Sequence, residues 1–447
     1  MPETETTKYL IVGNSAGGIG AVEAIREVDR KGSIILVSDE PYPAYSRPEI
    51  SYYLAEGRPL EKMLYRKEDF YTQYGVKTVL GKKAVKLDPA AHTLTLDDNT
   101  SIKYEKLLLA TGGTPIVPPM EGLDREKTLT FTTLDDAKRI DETLKRFSDR
   151  EIHAIVIGGG LIGVSVTEAL VKRGVKVSII EMRDRVLNMI LDEEGSAIGA
   201  EALENAGVEL ITEHTVEKVT ANENGDVTEV TLDDGSAIAC DLVIVAIGVV
   251  PQTELVKGTE IKLNRGIIVD EYMATSDPDI YACGDVAEAF DFVHGMNRLS
   301  PIWPNAHLGG RAAGFNMAGK KVKYSGGSAM NSMKYFGMAI TSAGMPVAPD
   351  DSYETIAAKM DHTYKKVLIK DGIVVGMIFS GDIEKSGIVY SLMKEKINVD
   401  KFKDELVSDE FGLISLPEKI WKKKLEIPVS DDAIPEDDGS GEKVIMD

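Results

Sequence analysis

The sequence predicts an α/β protein, with two doubly wound parallel-sheet units followed by a smaller α+β region. Three observations carry that reading. A short β-branched strand, a glycine turn, a helix and a second strand follow one another near the N-terminus. The same order returns about 140 residues later, a spacing that marks a repeated domain type rather than a short solenoid repeat. Residues 326–426 then alternate short strands with helical segments and carry no such glycine turn.

In chain order, residues 8–13 (KYLIVG) read as a strand ending in glycine. Residues 14–30 read as a helix, with Ala21, Ala24, Ile25 and Val28 at helical spacing, and Ser33 to Val37 as the next strand. The second unit runs from Ile152–Ile157 through a glycine cluster and a helix containing Ala169 and Leu170 to Val175–Ile180. Between the units, 79–96 and 102–109 read as strands with turns such as Asp97-Asp98-Asn99. Residues 112–122 (GGTPIVPPMEG) mark a crossing, and 248–266 a second one. Past the second unit, Val208–Ile211, Val227–Leu232 and Leu242–Ile247 read as strands, the last of them buried. The C-terminal region offers strands at Val367–Ile369 and Ile373–Ile378 and a helix at Gly387–Lys396. Residues 428–447 hold seven acids and one lysine and read as a disordered acidic tail.

The 447 residues contain 51 Lys and Arg against 73 Asp and Glu, a net charge of −22. That excess argues against nucleic acid and anionic membrane surfaces, which need clustered cations. The longest apolar run, Leu242–Val250, spans nine residues, well short of the ~18 that a membrane helix needs. Residues 1–7 are polar and show no basic, apolar leader, so a cytoplasmic protein is expected. Two cysteines, Cys240 and Cys283, without a CxxC, exclude a disulfide scaffold, a four-thiolate zinc site and an all-cysteine iron–sulfur cluster. Six histidines without a close pair leave no metal site in view.

Gly158-Gly159-Gly160-Leu161-Ile162-Gly163 is a full GxGxxG between a strand and a helix. Gly158 permits the tight turn, Gly160 lets the backbone approach a pyrophosphate, and Gly163 lets helix and strand pack closely. The helix N-terminus then offers free N–H groups to phosphate. Glu181 closes the next strand, where a carboxylate accepts a ribose 2′-OH and repels a 2′-phosphate. This favours NAD(H), with Arg183 and Arg185 as nearby groups able to favour NADP instead. The first turn, Gly13-Asn14-Ser15-Ala16-Gly17-Gly18, keeps the outer glycines, with Ser15 at the middle position and Asp39 or Glu40 at the following strand end.

Further motifs lie between and after these turns. Ala110-Thr111-Gly112, Ala246-Ile247-Gly248 with Pro251, Ala282-Cys283-Gly284-Asp285, and 305–319 (NAHLGGRAAGFNMAG) occur in one order. Over residues 8–320 this resembles the FAD-dependent pyridine nucleotide–disulfide oxidoreductase superfamily. Asp39-Glu40-Pro41 and Pro43-Ala44-Tyr45-Ser46-Arg47-Pro48 look like the branch of rubredoxin and ferredoxin reductases, the nitrite reductase FAD module and apoptosis-inducing-factor-like proteins. The resemblance implies that both units are Rossmann-like and that the first binds FAD and the second NAD(P)H. It divides the chain into an FAD-binding domain (1–118 and 250–325), an NAD(P)H-binding domain (119–249), a C-terminal interface domain (326–427) and the tail. It implies flavin-binding roles for Asp39, Arg47, Val85 and Asp285, and for the helix after the last motif, whose N-terminal end would face the flavin.

Departures from the family pattern narrow the chemistry. The disulfide reductases' CxxxxC pair is missing, and Pro48 stands where NADH oxidases and peroxidases carry a single Cys. Tyr52 and Ser165 stand where many relatives place a Lys–Glu pair beside the flavin, which makes them candidates for a neutral hydrogen-bonded substitute. Trp303, with Pro301 and Pro304, is a candidate for shaping the flavin's exposed side. The expected activity is hydride exchange between NAD(H) and flavin, coupled to a protein electron carrier or an iron–sulfur subunit. A flavin-only NADH oxidase forming hydrogen peroxide and a redox-sensing scaffold of the apoptosis-factor type are the alternatives. A homodimer, or a place in a complex through the C-terminal domain, is compatible with each.

Overall fold

The computed structural model describes residues 4–124, 128–147, 149–360 and 362–425. Its first sheet is built from Thr4–Val12 (β1), Ile34–Ser38 (β2), Val76–Leu80 (β3), Ala84–Asp88 (β4), Thr93–Leu96 (β5) and Ser101–Leu109 (β6). Their order is β3-β2-β1-β6-β5-β4, with a seventh strand, Ile280–Ala282, joined in parallel to Leu107–Leu109 of β6. β1, β2, β3 and β6 run parallel, and Tyr9–Val12, Ile34–Ser38 and Leu107–Leu109 are buried on both faces, as central parallel strands require, while β3 at the sheet edge is only half-buried. β1 begins four residues before the apolar run, because Thr4–Thr7 pair with Ser101–Tyr104. The stretch expected as strand over 79–96 is interrupted twice. Gly81, at φ +70°, ends β3, and β4 and β5 form an antiparallel hairpin closed at His92.

Helix α1 (Ala16–Val28) follows the first turn, and α2 (Ile50–Glu56) and the short α3 (Phe70–Gln73) follow β2. Helix α4 (Leu134–Arg146) opens with a capping box of Thr133 and Asp136. The second sheet is wholly parallel, in the order Glu209–Thr212, Lys176–Glu181, His153–Ile157, Leu242–Val245. Helices α5 (Leu161–Lys172) and α6 (Glu193–Asn205) belong to it. The buried strand expected over 242–247 is Leu242–Val245, all four residues buried. The two crossings meet: Gly113–Pro115 pairs antiparallel with Val249–Pro251.

Helix α7 (Trp303–Met317) lies on α1 with almost no side chain between them. A Cβ on Gly310 would stand 2.0 Å from the Gly17 carbonyl oxygen, so this contact requires glycine. The C-terminal region is a five-stranded antiparallel sheet in the order Met330–Tyr335, Met338–Gly344, Ile373–Ser380, Thr363–Lys370, Glu354–Met360. Helix α8 (Ser386–Lys394), in place of the expected 387–396, packs on this sheet around Val389, Leu392, Met377 and Phe379. The acidic tail read at 428–447 lies outside the described residues.

One polar cluster joins this sheet to the second unit. Lys366 Nζ and the Tyr364 hydroxyl both donate to Asp192 Oδ2 at 2.7 Å, while Asp192 Oδ1 accepts the Gly195 N–H and caps α6. Burial opposes ionisation of Asp192, but these donors outweigh it and hold the carboxyl below its ordinary range. No helix among the described residues is long and apolar enough to cross a membrane.

Candidate functional site

The two glycine turns stand at the carboxyl ends of their parallel strands, the usual place for ligands in such sheets. In the first, Gly13 adopts φ +120°, and a Cβ there would fall 2.1 Å from the Ala110 carbonyl oxygen. Gly18 is as constrained: its Cβ would meet the Gly13 carbonyl oxygen at 2.0 Å. Ser15 is the N-cap of α1, but its side chain makes no capping bond and leaves the first-turn N–H groups open. Asn14 is clamped from outside by the Tyr71 hydroxyl at 2.7 Å, and that hydroxyl also accepts the Ala44 N–H.

The two acids after β2 separate. Glu40 is taken up by Arg47 and the Tyr45 hydroxyl, and Arg47 also donates to the Thr132 carbonyl at 3.0 Å. Asp39 is exposed and forms no hydrogen bond among the described residues. The strand Ile280–Ala282 delivers Gly284 and Asp285 beside this turn, with Cys283 N–H bonded to Leu109 O at 3.1 Å. Asp285 makes no hydrogen bond among the described residues, and desolvation raises its carboxyl above the ordinary range despite nearby Arg47. Thr111 Oγ1 donates to Gln252 O, and Gly112 and Gly248 hold φ of +73° and +114° where the crossings meet. Val85 stands half-exposed on β4.

The second turn repeats the frame. Gly158 has φ +106°, and a Cβ on Gly163 would lie 1.9 Å from the Gly158 carbonyl oxygen. Around Gly160 an added Cβ meets nothing within 4 Å. Glu181 accepts the Gly159 N–H at 2.7 Å and the Arg183 N–H at 2.9 Å, which turns its carboxylate toward the glycine loop. Arg185 is paired with Asp184 at 2.7 Å. Leu161 and Ile162 form the half-buried start of α5.

Residues 7–310 match the family described as pyridine nucleotide-disulphide oxidoreductase, and 330–397 match the rubredoxin NAD+ reductase C-terminal domain. The chain belongs to the pyridine nucleotide-disulphide oxidoreductase family. It is 30% identical over 417 residues to the NADH-dependent phenylglyoxylate dehydrogenase subunit epsilon of Aromatoleum evansii, covering 92% of this chain and 96% of that protein. With the NADH-rubredoxin oxidoreductase of Clostridium acetobutylicum it shares 27% identity over 404 residues, 90% of this chain and 98% of the relative. The crystal structure of NADH:rubredoxin oxidoreductase from Clostridium acetobutylicum superposes with a TM-score of 0.73 at 26% identity, over 89% of this chain and 97% of that one.

This oxidoreductase is therefore an FAD-dependent enzyme using NAD(H), and its residues fit both groups. The unpaired Asp285 carboxylate and the open N–H groups at Ser15 suit a dinucleotide at the first turn. Open space at Gly160, beside an oriented Glu181, suits one at the second. Both cysteines are buried, and burial pushes each thiol up to about 12, so neither is a thiolate at neutral pH. Among the described residues no group of three His, Cys, Asp or Glu could hold a metal.

Helix α2, which carries Tyr52, packs on α5, which carries Ser165; the Tyr52 ring is exposed and lies under Arg58, 4.1 Å to its centroid. Trp303 stands edge-on to Tyr65, ring centroids 5.0 Å apart, with His307 hydrogen-bonded to the Tyr65 hydroxyl. Sequence reasoning missed two residues. Tyr71 is a lone tyrosine in a short helix, and Tyr335 belongs to the distant C-terminal sheet; neither sits in a motif that announces it.

Proposed function

We propose that this chain carries electrons between NADH and a one-electron protein carrier of the rubredoxin or iron–sulfur class. The carrying observation is the match of residues 330–397 to the rubredoxin NAD+ reductase C-terminal domain, in a chain whose only two thiols are buried. When bound, the nicotinamide and flavin supply hydride exchange and the flavin single-electron exchange with a carrier.

The chain's own residues bind, orient and insulate. Open N–H groups at the start of α1 would hold the FAD pyrophosphate, Asp39 would accept from its ribose hydroxyls, and Asp285 would accept from the chain that leads to the flavin. Glu40 acts through Arg47 and Tyr45 by fixing the loop that covers the site. The N-terminus of α7 would favour negative charge on a flavin bound beside it. Gly160 admits the second pyrophosphate, and Glu181 selects NADH over NADPH. Tyr52 and Ser165 are neutral contacts in the nicotinamide crevice. We place the protein in the reducing cytoplasm. A second subunit would join at the C-terminal sheet, whose edge strand Glu354–Met360 has one side unpaired among the described residues.

The purified protein is expected to be yellow, with about one FAD per chain, and to pass electrons from NADH to rubredoxin or ferredoxin in anaerobic stopped flow. Reduction by NADH followed by reaction with oxygen alone, giving hydrogen peroxide, would overturn the carrier reading in favour of an oxidase. The near full-length match to a dehydrogenase subunit favours a second reading, a flavin subunit that reduces NAD+ within a complex. Co-purification of iron–sulfur subunits with the native protein would select it.

A further inference from the structure

Where α2 packs on α5, the C-terminal sheet sends its first hairpin to the same helix. Tyr52 stands on α2, Ser165 on α5, and Tyr335 ends the first strand of the C-terminal sheet. The hairpin tip that follows, Phe336-Gly337, leans on α5 by two tethers. The Tyr335 hydroxyl donates to the Leu161 carbonyl at 3.3 Å, and the Phe336 N–H donates to Glu168 Oε1 at 3.0 Å. Phe336 holds φ +49°, a left-handed conformation that a bulky residue keeps only when its surroundings over-determine it. The tip is therefore docked rather than merely adjacent.

Tyr335 is the more telling tether. A hydroxyl bond of 3.3 Å is long, and the Leu161 carbonyl also faces the helical N–H of Ser165. The phenol proton thus shares the Leu161 carbonyl with the Ser165 backbone N–H, and the Ser165 hydroxyl is its side-chain neighbour. Leu161 is the first residue of α5, directly after the Gly158–Gly163 turn begins, so this contact bears on the turn that presents N–H groups to a pyrophosphate. Burial pushes the phenol up to about 12, so it remains a neutral donor at working pH.

We propose that Tyr335 is a positioning residue for NADH: with Ser165 it forms a neutral hydroxyl cluster that fixes the first turn of α5 and couples the C-terminal sheet to nicotinamide binding. The inference rests on the assignment of α5 to NAD(H). Small displacements of a bound reactant are costly in rate and affinity, which gives a remote tether its leverage.

The test is Tyr335→Phe, purified with its FAD and reduced by NADH in anaerobic stopped flow. The dissociation constant for NADH is expected to rise about fivefold, the loss of one hydrogen bond, with FAD content unchanged. Ser165→Ala should give a similar rise, and the double variant little more than either alone, because the groups act together. An unchanged NADH constant in Tyr335→Phe, or fully additive effects, would overturn the cluster. Should Tyr335→Phe fail to fold, Ser165→Ala decides from the helix side, where an unchanged constant sinks the proposal. Wild-type flavin that NADH does not reduce would instead overturn the assignment of the second turn, so the two failures are distinguishable.

Discussion

The two glycine turns do one job with unequal means. Their third positions are equivalent: a methyl group on Gly18 or Gly163 would collide with the carbonyl of Gly13 or Gly158 at 2.0 and 1.9 Å. Their middle positions differ, since Ser15 already carries a side chain and a methyl group on Gly160 would enter open space. The fold's own packing demands glycine at the third position of both turns and at the middle position of neither. On the proposed function, a glycine at 160 serves what approaches the backbone from outside. Folding glycines and ligand glycines can thus be told apart in one motif.

The harshest way to break this comparison is to add a methyl group at the third positions. Gly18→Ala and Gly163→Ala should each cost about 3 kcal/mol, because the obstructing atom is backbone and cannot swing away. Urea unfolding reads this directly, and near-wild-type stability in either variant would show slack in that turn.

Next in size is a loss confined to the first site. Asp285→Ala removes a carboxylate that no described residue hydrogen-bonds, so FAD retention through gel filtration should fall at least about tenfold. Normal FAD content would remove Asp285 from the site.

A subtler variant sharpens the contrast at the middle position. Gly160→Ala should raise the NADH dissociation constant roughly fivefold and leave the urea midpoint in place. Ser15→Ala, by comparison, should change FAD content little, because that turn already accommodates a Cβ. A drop in stability for Gly160→Ala would mean that its glycine serves packing after all.

The smallest effect is expected at the thiols. Cys283 packs between the first turn and α7: a Cβ on Gly17 would meet its Sγ at 2.7 Å, and one on Gly309 its Cβ at 3.3 Å. Cys283→Ser should cost about 1–2 kcal/mol for a buried hydroxyl, with NADH-to-dye turnover nearly intact. Cys240→Ser should behave likewise. Anaerobic titration should stop at about two electrons per FAD, the capacity of one flavin. Uptake of four would reinstate a thiol partner.

Much of the site was legible because phosphate-binding turns are local. Gly13, Gly18, Gly158, Gly163 and Glu181 act within about thirty residues of one another in each unit, and strand-turn-helix order exposes them. What was not legible depends on contacts distant in sequence. Nothing near Tyr335 signals that it reaches the carbonyl of Leu161, and nothing near Tyr71 signals its grip on Asn14. The sequence also offered Asp39 and Glu40 as equals; Arg47 and Tyr45 separate them by engaging only Glu40. The strand ends moved for similar reasons, as β1 is extended by its partner β6 and not by its own apolar residues.

The contact of Gly17 with Gly310 joins two segments separated by most of the chain, and Ile280–Ala282 reaches β6 across the whole second unit. Closing so long a loop adds only slowly to the entropic cost, so stability suffers little, but such distant contacts retard folding. During synthesis the second sheet, continuous between His153 and Val245, can close early. The first stays open along Leu107–Leu109 of β6 until Ile280–Ala282 has left the ribosome. Flavin capture is then one of the last events in the birth of the molecule, and an interrupted chain exposes an unpaired strand edge to its neighbours.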